Sequence, residues 1–291
     1  MCILGRTGKI NSLPLHLVMT DDSLTYSYRT EGLTTGYSAS HDGEGRKLLA
    51  SGINAKLGNG QLTCLIGVNG AGKSTLLRTL AGLQPAIQGT IMLKEKALQD
   101  YDTKELAKIV SVVLTDEIPE QALTAFELVA MGRIPHTGYW GTLRRRDVKL
   151  VEQALEMVGM TDFRQRRLHS LSDGERQKLL IAKALAQDTE VILLDEPVAF
   201  LDFPSKVWVL RLLSRVAREQ GKSVLLSIHD IELALQVADR LWLLNGHNFT
   251  EGEPQTLAQE GMIDFLFRGE GIEFDRHTMQ YKLTIKKSLH Q

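Results

Sequence analysis

Residues 66–75 of the chain read Ile66-Gly67-Val68-Asn69-Gly70-Ala71-Gly72-Lys73-Ser74-Thr75. The pattern GxxxxGKS within them follows an apolar run that ends at Ile66, and it precedes a predicted helix from Lys73 to Ala81. A phosphate-binding loop requires this order of strand, glycine-rich turn and helix. Backbone N–H groups and the positive end of the helix would hold phosphate oxygens, Lys73 would neutralise them, and the Ser74 hydroxyl would ligate Mg²⁺.

A second candidate site follows the short apolar run Val191–Leu194, which is typical of a strand buried on both faces of a parallel sheet. Asp195 and Glu196 come directly after it, at the edge where ligands of open parallel sheets bind. Asp195 would hold Mg²⁺ through water, and Glu196 would polarise an attacking water beside a phosphate. An acidic turn exposed to solvent is the alternative interpretation.

Residues 171–177 read Leu-Ser-Asp-Gly-Glu-Arg-Gln and open a predicted helix. Ser172 with Glu175 three residues later forms the pattern of a capping box, which needs no function. The same geometry leaves a helix N-terminus able to receive an anion, and Gly174 would let a phosphate approach closely. Both interpretations can hold together.

His229 follows another apolar strand, Ser223–Ile228. A single histidine after a strand is more often structural than catalytic. Its position at the edge of the same predicted sheet as Asp195 and Glu196 favours a catalytic role.

The composition excludes several classes of protein. The 291 residues include 34 basic and 35 acidic side chains, with a net charge of −1, which disfavours a broad nucleic-acid surface. No apolar run approaches the roughly 18 residues of a membrane span. Two cysteines and eight scattered histidines indicate neither a disulfide framework nor a zinc-type site. We expect residues 1–23 to be a leader, disordered or not native, with Met19 as an alternative start.

The pattern along the chain predicts three regions. Residues 24–66 are rich in short strands interrupted by a polar hairpin loop at 38–45, and about 116–187 are mostly helical. An α/β pattern then returns, with a helix over Pro204–Gln220, a helix over Ile231–Ala238 and a strand over Arg240–Leu244. The tail alternates as a closing hairpin around Asp275–Thr278.

Together these motifs, in this order along the chain, resemble the nucleotide-binding subunit of an ABC transporter. The resemblance covers about residues 24–250. It implies an α/β fold with a P-loop NTPase core: a mixed sheet with an antiparallel β subdomain, plus an inserted helical subdomain at about 116–187. Residues 251–291 would be a C-terminal helix and β-hairpin extension of the same domain. ATP and Mg²⁺ would be the cofactors.

The resemblance also implies roles for particular residues. Glu196 would be the general base and His229 the γ-phosphate contact, while Ser74 and Asp195 would serve the metal. A partner subunit's nucleotide would touch Ser172, Asp173, Gly174 and Glu175, and Asp202 would cross the homodimer interface. The nucleotide-binding residues would be Asn69, Gly70, Ala71, Gly72, Lys73, Ser74, Thr75 and Tyr37.

The segment Glu127–His136 resembles the helical subdomain of importers for iron chelates, haem and cobalamin. Such a subunit would be peripheral, at the cytoplasmic face of the bacterial inner membrane, with polytopic permease subunits and indirectly a solute-binding protein as partners, and no nucleic acid. The alternatives are a soluble ABC ATPase, an importer ATPase for another solute class, and a kinase or GTPase that shares only the phosphate loop. An NKxD motif, expected of a GTPase, is missing.

Three departures from the family pattern matter. Asp173 and Glu175 stand where Gly and Gln are commonest, and Arg176 would offset their charge. Thr115 stands where a metal-ligating glutamine is expected. Neighbouring Asp116 or Glu117 would then take over the coupling of ATP hydrolysis to transport by the permease. Tyr37 is the best candidate for stacking on adenine, and His41 or Arg46 could replace it.

Overall fold

The computed structural model describes residues 25–37, 47–114, 123–138, 140–267 and 272–283. Its strands are β1 (Tyr26–Tyr37), β2 (Lys47–Ile53), β3 (Lys56–Gly58), β4 (Leu62–Gly67), β5 (Gln88–Leu93), β6 (Lys96–Ala97), β7 (Val110–Val113), β8 (Val191–Leu194), β9 (Ser223–Ser227), β10 (Arg240–Asn245), β11 (Asn248–Gly252), β12 (Ile272–Asp275) and β13 (Gln280–Leu283).

Helices connect these strands. They are α1 (Lys73–Leu80), α2 (Thr103–Ile109), α3 (Ala125–Ala130), α4 (Arg145–Met157), α5 (Asp173–Ala186), α6 (Phe203–Gln220), α7 (Ile231–Val237) and α8 (Pro254–Gln259). Short 3₁₀ segments lie at Leu98–Asp100, Met131–His136, Thr161–Phe163, Leu168–Ser170 and Asp264–Phe267.

The central sheet has the order β11-β10-β4-β9-β8-β7, and only its edge pair β10–β11 is antiparallel. Every residue of β4, β8 and β9 is buried. Alternate residues face two different cores: Ile192 and Leu194 belong to one, and Leu193 to the other. The continuous apolar runs therefore reflect a parallel sheet covered on both faces, as the sequence predicts.

A second, antiparallel sheet covers one of these faces. Its order is β2-β1-β5-β6, with β3 also pairing with β1. Helix α1 lies in the core that the two sheets share, and the Tyr28 hydroxyl of β1 donates to the Leu80 carbonyl at the end of α1 over 2.8 Å. This arrangement confirms the predicted mixed sheet with an antiparallel β subdomain.

Helices α3, α4 and α5 pack together on the other face. A buried ion pair joins Arg133 Nε and Asp147 Oδ1 at 3.0 Å, and Arg133 also donates to the carbonyl of Ala186 at 2.7 Å. Gly132 lies so close to α5 that a Cβ on it would be 2.3 Å from the Lys183 carbonyl oxygen. The segment that the sequence singles out at 127–136 therefore binds the C-terminal end of α5.

The C-terminal segment forms the predicted helix and hairpin. The hairpin turn lies at 276–279, one residue later than expected, because Met279 adopts a positive φ of 58° and leaves the strand. The Tyr281 backbone N–H donates to Glu232 of α7. The expected leader at 1–23 and the polar loop at 38–45 lie outside the described residues, and the domain boundaries remain predictions.

The Arg133–Asp147 pair provides a test of the helical segment. We expect Arg133→Ala to lower the free energy of unfolding by about 3–5 kcal/mol, because it leaves a buried carboxylate without its partner. Arg218→Ala is the control: that arginine pairs with Asp239 while 61% exposed, and its loss should cost less than about 1 kcal/mol. Urea unfolding followed by circular dichroism measures both. Equal losses in the two variants would contradict this account.

Candidate functional site

The phosphate loop connects the end of β4 to the start of α1. Gly70 and Gly72 adopt φ values of 79° and 96°, which L side chains rarely adopt. A Cβ on Gly72 would also lie 2.9 Å from the Leu49 Cβ, so the chain has no room there. The loop therefore needs glycine at these positions to present its backbone at the helix N-terminus, where an anion is stabilised.

Lys73 is held inside this loop. Its Nζ donates to the carbonyls of Gly67 at 2.8 Å and Val68 at 3.3 Å, and the residue is only 6% exposed. Burial lowers the pKa of the Lys73 ammonium, and the nearby carboxylates of Glu196 and Asp195 oppose that shift. The structure thus brings together the lysine and the two acids, which are more than a hundred residues apart in the chain.

The two acids leave the end of β8 in different environments. Asp195 is 3% exposed, and its backbone N–H donates to the Val113 carbonyl at 2.8 Å. Glu196 has φ 50° and a side chain that is 27% exposed. The first acid therefore lies under the surface of the edge, and the second reaches its opening.

His229 contacts Glu196 directly. Its Nε2 lies 2.6 Å from Glu196 Oε1, and the histidine side chain is 46% exposed. The structure brings these two sequence-predicted catalytic residues into one hydrogen-bonded pair, accessible to a substrate.

Sequence reasoning missed Ser227, the last residue of β9. Its hydroxyl donates to Asp195 Oδ1 at 2.7 Å and accepts from the Glu196 backbone N–H at 2.8 Å. The only sign of it in the sequence is a polar residue in an otherwise apolar run, which does not reveal its neighbours.

The capping box predicted at the start of α5 is present. The Glu175 N–H donates to Ser172 Oγ at 3.3 Å, and the Ser172 N–H donates to Glu175 Oε2 at 2.8 Å. The latter hydrogen bond is the main cause that lowers the pKa of Glu175. Asp173 lies 3.6 Å from Arg176, as the expected charge compensation requires.

Asp202 begins α6, where its Oδ1 accepts from the Ser205 N–H at 3.0 Å. Hydrogen bonding from Ser205 lowers the pKa of this carboxyl. Phe200 and Phe203, on either side of it, are 63% and 64% exposed. This surface lies beside the start of α5, because a Cβ on Gly174 would be 3.2 Å from Leu201 Cδ2 and 3.9 Å from the Phe200 carbonyl oxygen.

Tyr37 ends β1 beside the phosphate loop. Its hydroxyl accepts from Thr75 Oγ1 at 3.2 Å, and the residue is 56% exposed, so its ring is available at the surface. The alternatives His41 and Arg46, and the coupling candidates Thr115, Asp116 and Glu117, lie outside the described residues.

The donors available for a cation are oxygens. In the part of the chain that the structure describes, no group of three or more His, Cys, Asp and Glu side chains could hold a metal. The Ser74 hydroxyl and the Asp195 carboxylate are the ligand types that Mg²⁺ takes when substrate phosphates complete its shell. The residues present therefore fit Mg²⁺ bound together with a nucleotide.

The sequence matches the model of the ABC transporter family over residues 50–199. The chain belongs to this family. It is 38% identical over 240 residues to an uncharacterised ABC transporter ATP-binding protein of Methanocaldococcus jannaschii, covering 82% of this chain and 80% of that protein. It is 39% identical over 209 residues to the iron(3+)-hydroxamate import ATP-binding protein of Bacillus subtilis, covering 72% and 75%.

Other comparisons agree. Identity to the ferric enterobactin transport ATP-binding protein of Escherichia coli is 34% over 240 residues, covering 82% of this chain and 86% of that protein. An inward-facing structure of an ABC transporter assigned to the metal-chelate type superposes with a TM-score of 0.72 at 29% identity, covering 91% of this chain and 100% of that one. A dimeric ABC transporter cassette superposes with a TM-score of 0.68 at 26% identity, covering 78% and 98%. The chain is an ABC ATPase subunit, and its fold is that of the P-loop cassettes.

The pairing of Glu196 with His229 and the burial of Lys73 predict two different defects. Glu196→Gln keeps the contact with His229 but removes the base, so we expect turnover to fall by about 10²- to 10⁴-fold while ATP affinity persists. Lys73→Ala should instead weaken ATP binding by about tenfold or more, close to 1.4 kcal/mol, because it removes the buried cation of the loop. Single-turnover hydrolysis and equilibrium binding of a fluorescent ATP analogue separate the two effects. Turnover at the parent rate in Glu196→Gln would show that another group is the base.

Proposed function

We propose that this chain energises a membrane importer for iron chelates of the siderophore type, or for the related solutes haem and cobalamin, by closing a homodimer on ATP. The observation that carries the solute class is the identity of 34–39% to ATP-binding proteins named for iron(3+)-hydroxamate and ferric enterobactin import. The segment 127–136, which resembles the helical subdomain of such importers, packs against α5 through Gly132 and Arg133.

The dimer is part of the proposal. The Ser172 cap at the start of α5 and the surface of Phe200, Asp202 and Phe203 form a face that fits a second copy. A nucleotide on the phosphate loop of one subunit would then meet Ser172 and Gly174 of the other. One of the similar cassettes has been solved as a dimer.

The hydrolytic step uses the groups at the edge of the central sheet. Lys73 and the loop backbone hold the β- and γ-phosphates, while Mg²⁺, when bound, neutralises charge on their oxygens. Glu196 takes a proton from the water that attacks the γ-phosphorus, and the bond to the β,γ-bridging oxygen breaks. His229, 2.6 Å from Glu196, orients that carboxylate and contacts the γ-phosphate. ADP and inorganic phosphate are the products.

A cavity of about 780 Å³ supports a docking site for the permease. The loop after α1, helix α2 and the C-terminal part of α5 line it, so it lies between the core and the helical segment. Leu83 in its lining is 59% exposed, and burial lowers the pKa of Lys183 on its α5 side. An amphipathic cytoplasmic segment of the permease, with an apolar face and an acidic group, would suit this lining.

Peripheral attachment at the cytoplasmic face of the bacterial inner membrane belongs to the same proposal. Among the helices of the described residues, none combines the length and apolar character that crossing a bilayer demands. The permease would therefore supply the attachment, and a solute-binding protein would act through it.

The sandwich predicts that hydrolysis requires two subunits. Because α5 of one subunit completes the nucleotide site of the other, the chain should bind MgATP as a monomer and hydrolyse it as a dimer. Specific ATPase activity should then rise with protein concentration across the dissociation range, which sedimentation of Glu196→Gln with ATP locates. A specific activity independent of dilution over that range would contradict the model.

Transport in proteoliposomes tests the solute class and the docking site together. With its cognate permease and binding protein, uptake of ⁵⁵Fe-hydroxamate should exceed uptake of an unrelated sugar. We expect Leu83→Asp to reduce uptake by about tenfold or more, since it places a charge in an apolar contact, close to 1.4 kcal/mol of lost association. Its ATPase activity without the permease should stay within twofold of the parent, roughly the noise of a surface substitution.

The control is Met262→Asp, which changes an exposed apolar residue of the C-terminal segment that does not line the cavity. It should leave uptake unchanged. Equal loss in both variants would contradict the docking site, and uptake of the sugar instead of the chelate would contradict the solute class.

A further inference from the structure

Ser227 connects β9, the strand that precedes His229, to the acids that follow β8. The side chain is fully buried and makes two hydrogen bonds to residues that follow the neighbouring strand β8. It donates to the Asp195 carboxylate and accepts from the Glu196 backbone N–H. A serine hydroxyl has one donor and can accept at its lone pairs. Here the donor serves one acid and an acceptor serves the next.

The bond to the Glu196 N–H occurs where the backbone is strained. Glu196 has φ 50°, the left-handed region that costs a residue with a side chain about 1–2 kcal/mol. Such a conformation persists only when the surroundings fix it, and non-glycine residues in it concentrate at functional sites. A fixed acceptor on Glu196 N–H is one group that does so here.

Strand β9 and the residues that follow it therefore contact Glu196 at two places. Ser227 fixes its backbone, and His229, two residues later on the same segment, contacts its carboxylate at 2.6 Å. Asp195 accepts a hydrogen bond from the same hydroxyl, so one side chain connects both acids to the segment that leads to His229. A buried serine that served only packing would not need to contact both acids.

The same strand offers a comparison at its other end. Ser223 is also fully buried, and its hydroxyl contacts Ser27 Oγ at 2.8 Å and Asn59 Oδ1 at 3.0 Å. These contacts join the two sheets far from the acids along the strand. Ser223 thus has the burial and chemistry of Ser227 without its neighbours.

We propose that Ser227 is a positioning residue for ATP hydrolysis, which holds Asp195 for the metal and Glu196 for the attacking water in one fixed geometry with His229. This inference rests on the roles proposed for the two acids. The Glu196→Gln variant tests the role of Glu196 as the base by itself. A failure of that role is therefore distinguishable from a failure of the proposal for Ser227.

The experiment compares Ser227→Ala, Ser227→Thr and the control Ser223→Ala. Four quantities are measured: the melting temperature, kcat, the affinity for a fluorescent ATP analogue without metal, and the Mg²⁺ concentration that half-maximally strengthens this binding. The metal dependence of binding needs no turnover, so it reports on the metal ligands Ser74 and Asp195 and not on Glu196.

For Ser227→Ala we expect kcat to fall by about ten- to a hundredfold, as misplaced catalytic groups do, with a several-fold rise in the half-maximal Mg²⁺ concentration. Metal-free binding should be unchanged, because the phosphate loop is intact. Both alanine variants should lose a few degrees of melting temperature, roughly the effect of losing two buried hydrogen bonds. Ser227→Thr keeps the hydroxyl and should recover most of kcat.

The proposal would be overturned if Ser227→Ala kept kcat and its metal dependence within twofold of the parent, roughly the range of a neutral substitution. It would also be overturned if Ser223→Ala lost as much kcat, which would assign the effect to stability. A folded Ser227→Thr variant as inactive as Ser227→Ala would count against the hydroxyl itself.

Discussion

The register of β4, β8 and β9 in the parallel sheet is the constraint on which the site depends. Leu194 pairs with Leu226 and Leu65 pairs with Ser227, so the carboxyl ends of the three strands lie at one edge, with β4 continuing two residues further to Gly67. A slip of one residue would turn each side chain to the opposite core. The phosphate loop, the two acids and the histidine follow these three strands, so they meet at the same edge of the sheet.

Much of this edge could be predicted from the sequence, because each of its parts is local. The glycines of the loop, the acids after Val191–Leu194 and the cap of Ser172 are patterns of a few residues, and the structure places them as expected. Which strands pair is not local. The order of the central sheet, the antiparallel pairing of β1 with β5 and the pairing of β11 with β10 arise from contacts between distant residues. Ser227 was not predicted for the same reason, because its hydrogen-bond partners follow a neighbouring strand, β8.

Electrostatics explains how this family member tolerates the acids Asp173 and Glu175 at the start of α5. Glu175 is committed to the Ser172 backbone N–H, which holds the pKa of its carboxyl low, and Asp173 is paired with Arg176. Both charges are therefore compensated by groups within the first turns of α5, where negative charge also suits the helix dipole. In the proposed dimer the helix N-terminus would therefore still receive an anion, although two carboxylates stand where neutral residues are commoner.

Helix α5 connects this end of the molecule to the cavity. Its 14 residues span about 21 Å at 1.5 Å per residue, from the Ser172 cap to Gln187, which lines the cavity. The Gln187 side chain donates to the carbonyls of Ala107 and Val110, while its own carbonyl accepts from Arg133 and contacts His136. In the proposed dimer, a displacement of the Ser172 end would therefore reach the cavity through this helix, whose far end is bonded both to the helical segment and to the core.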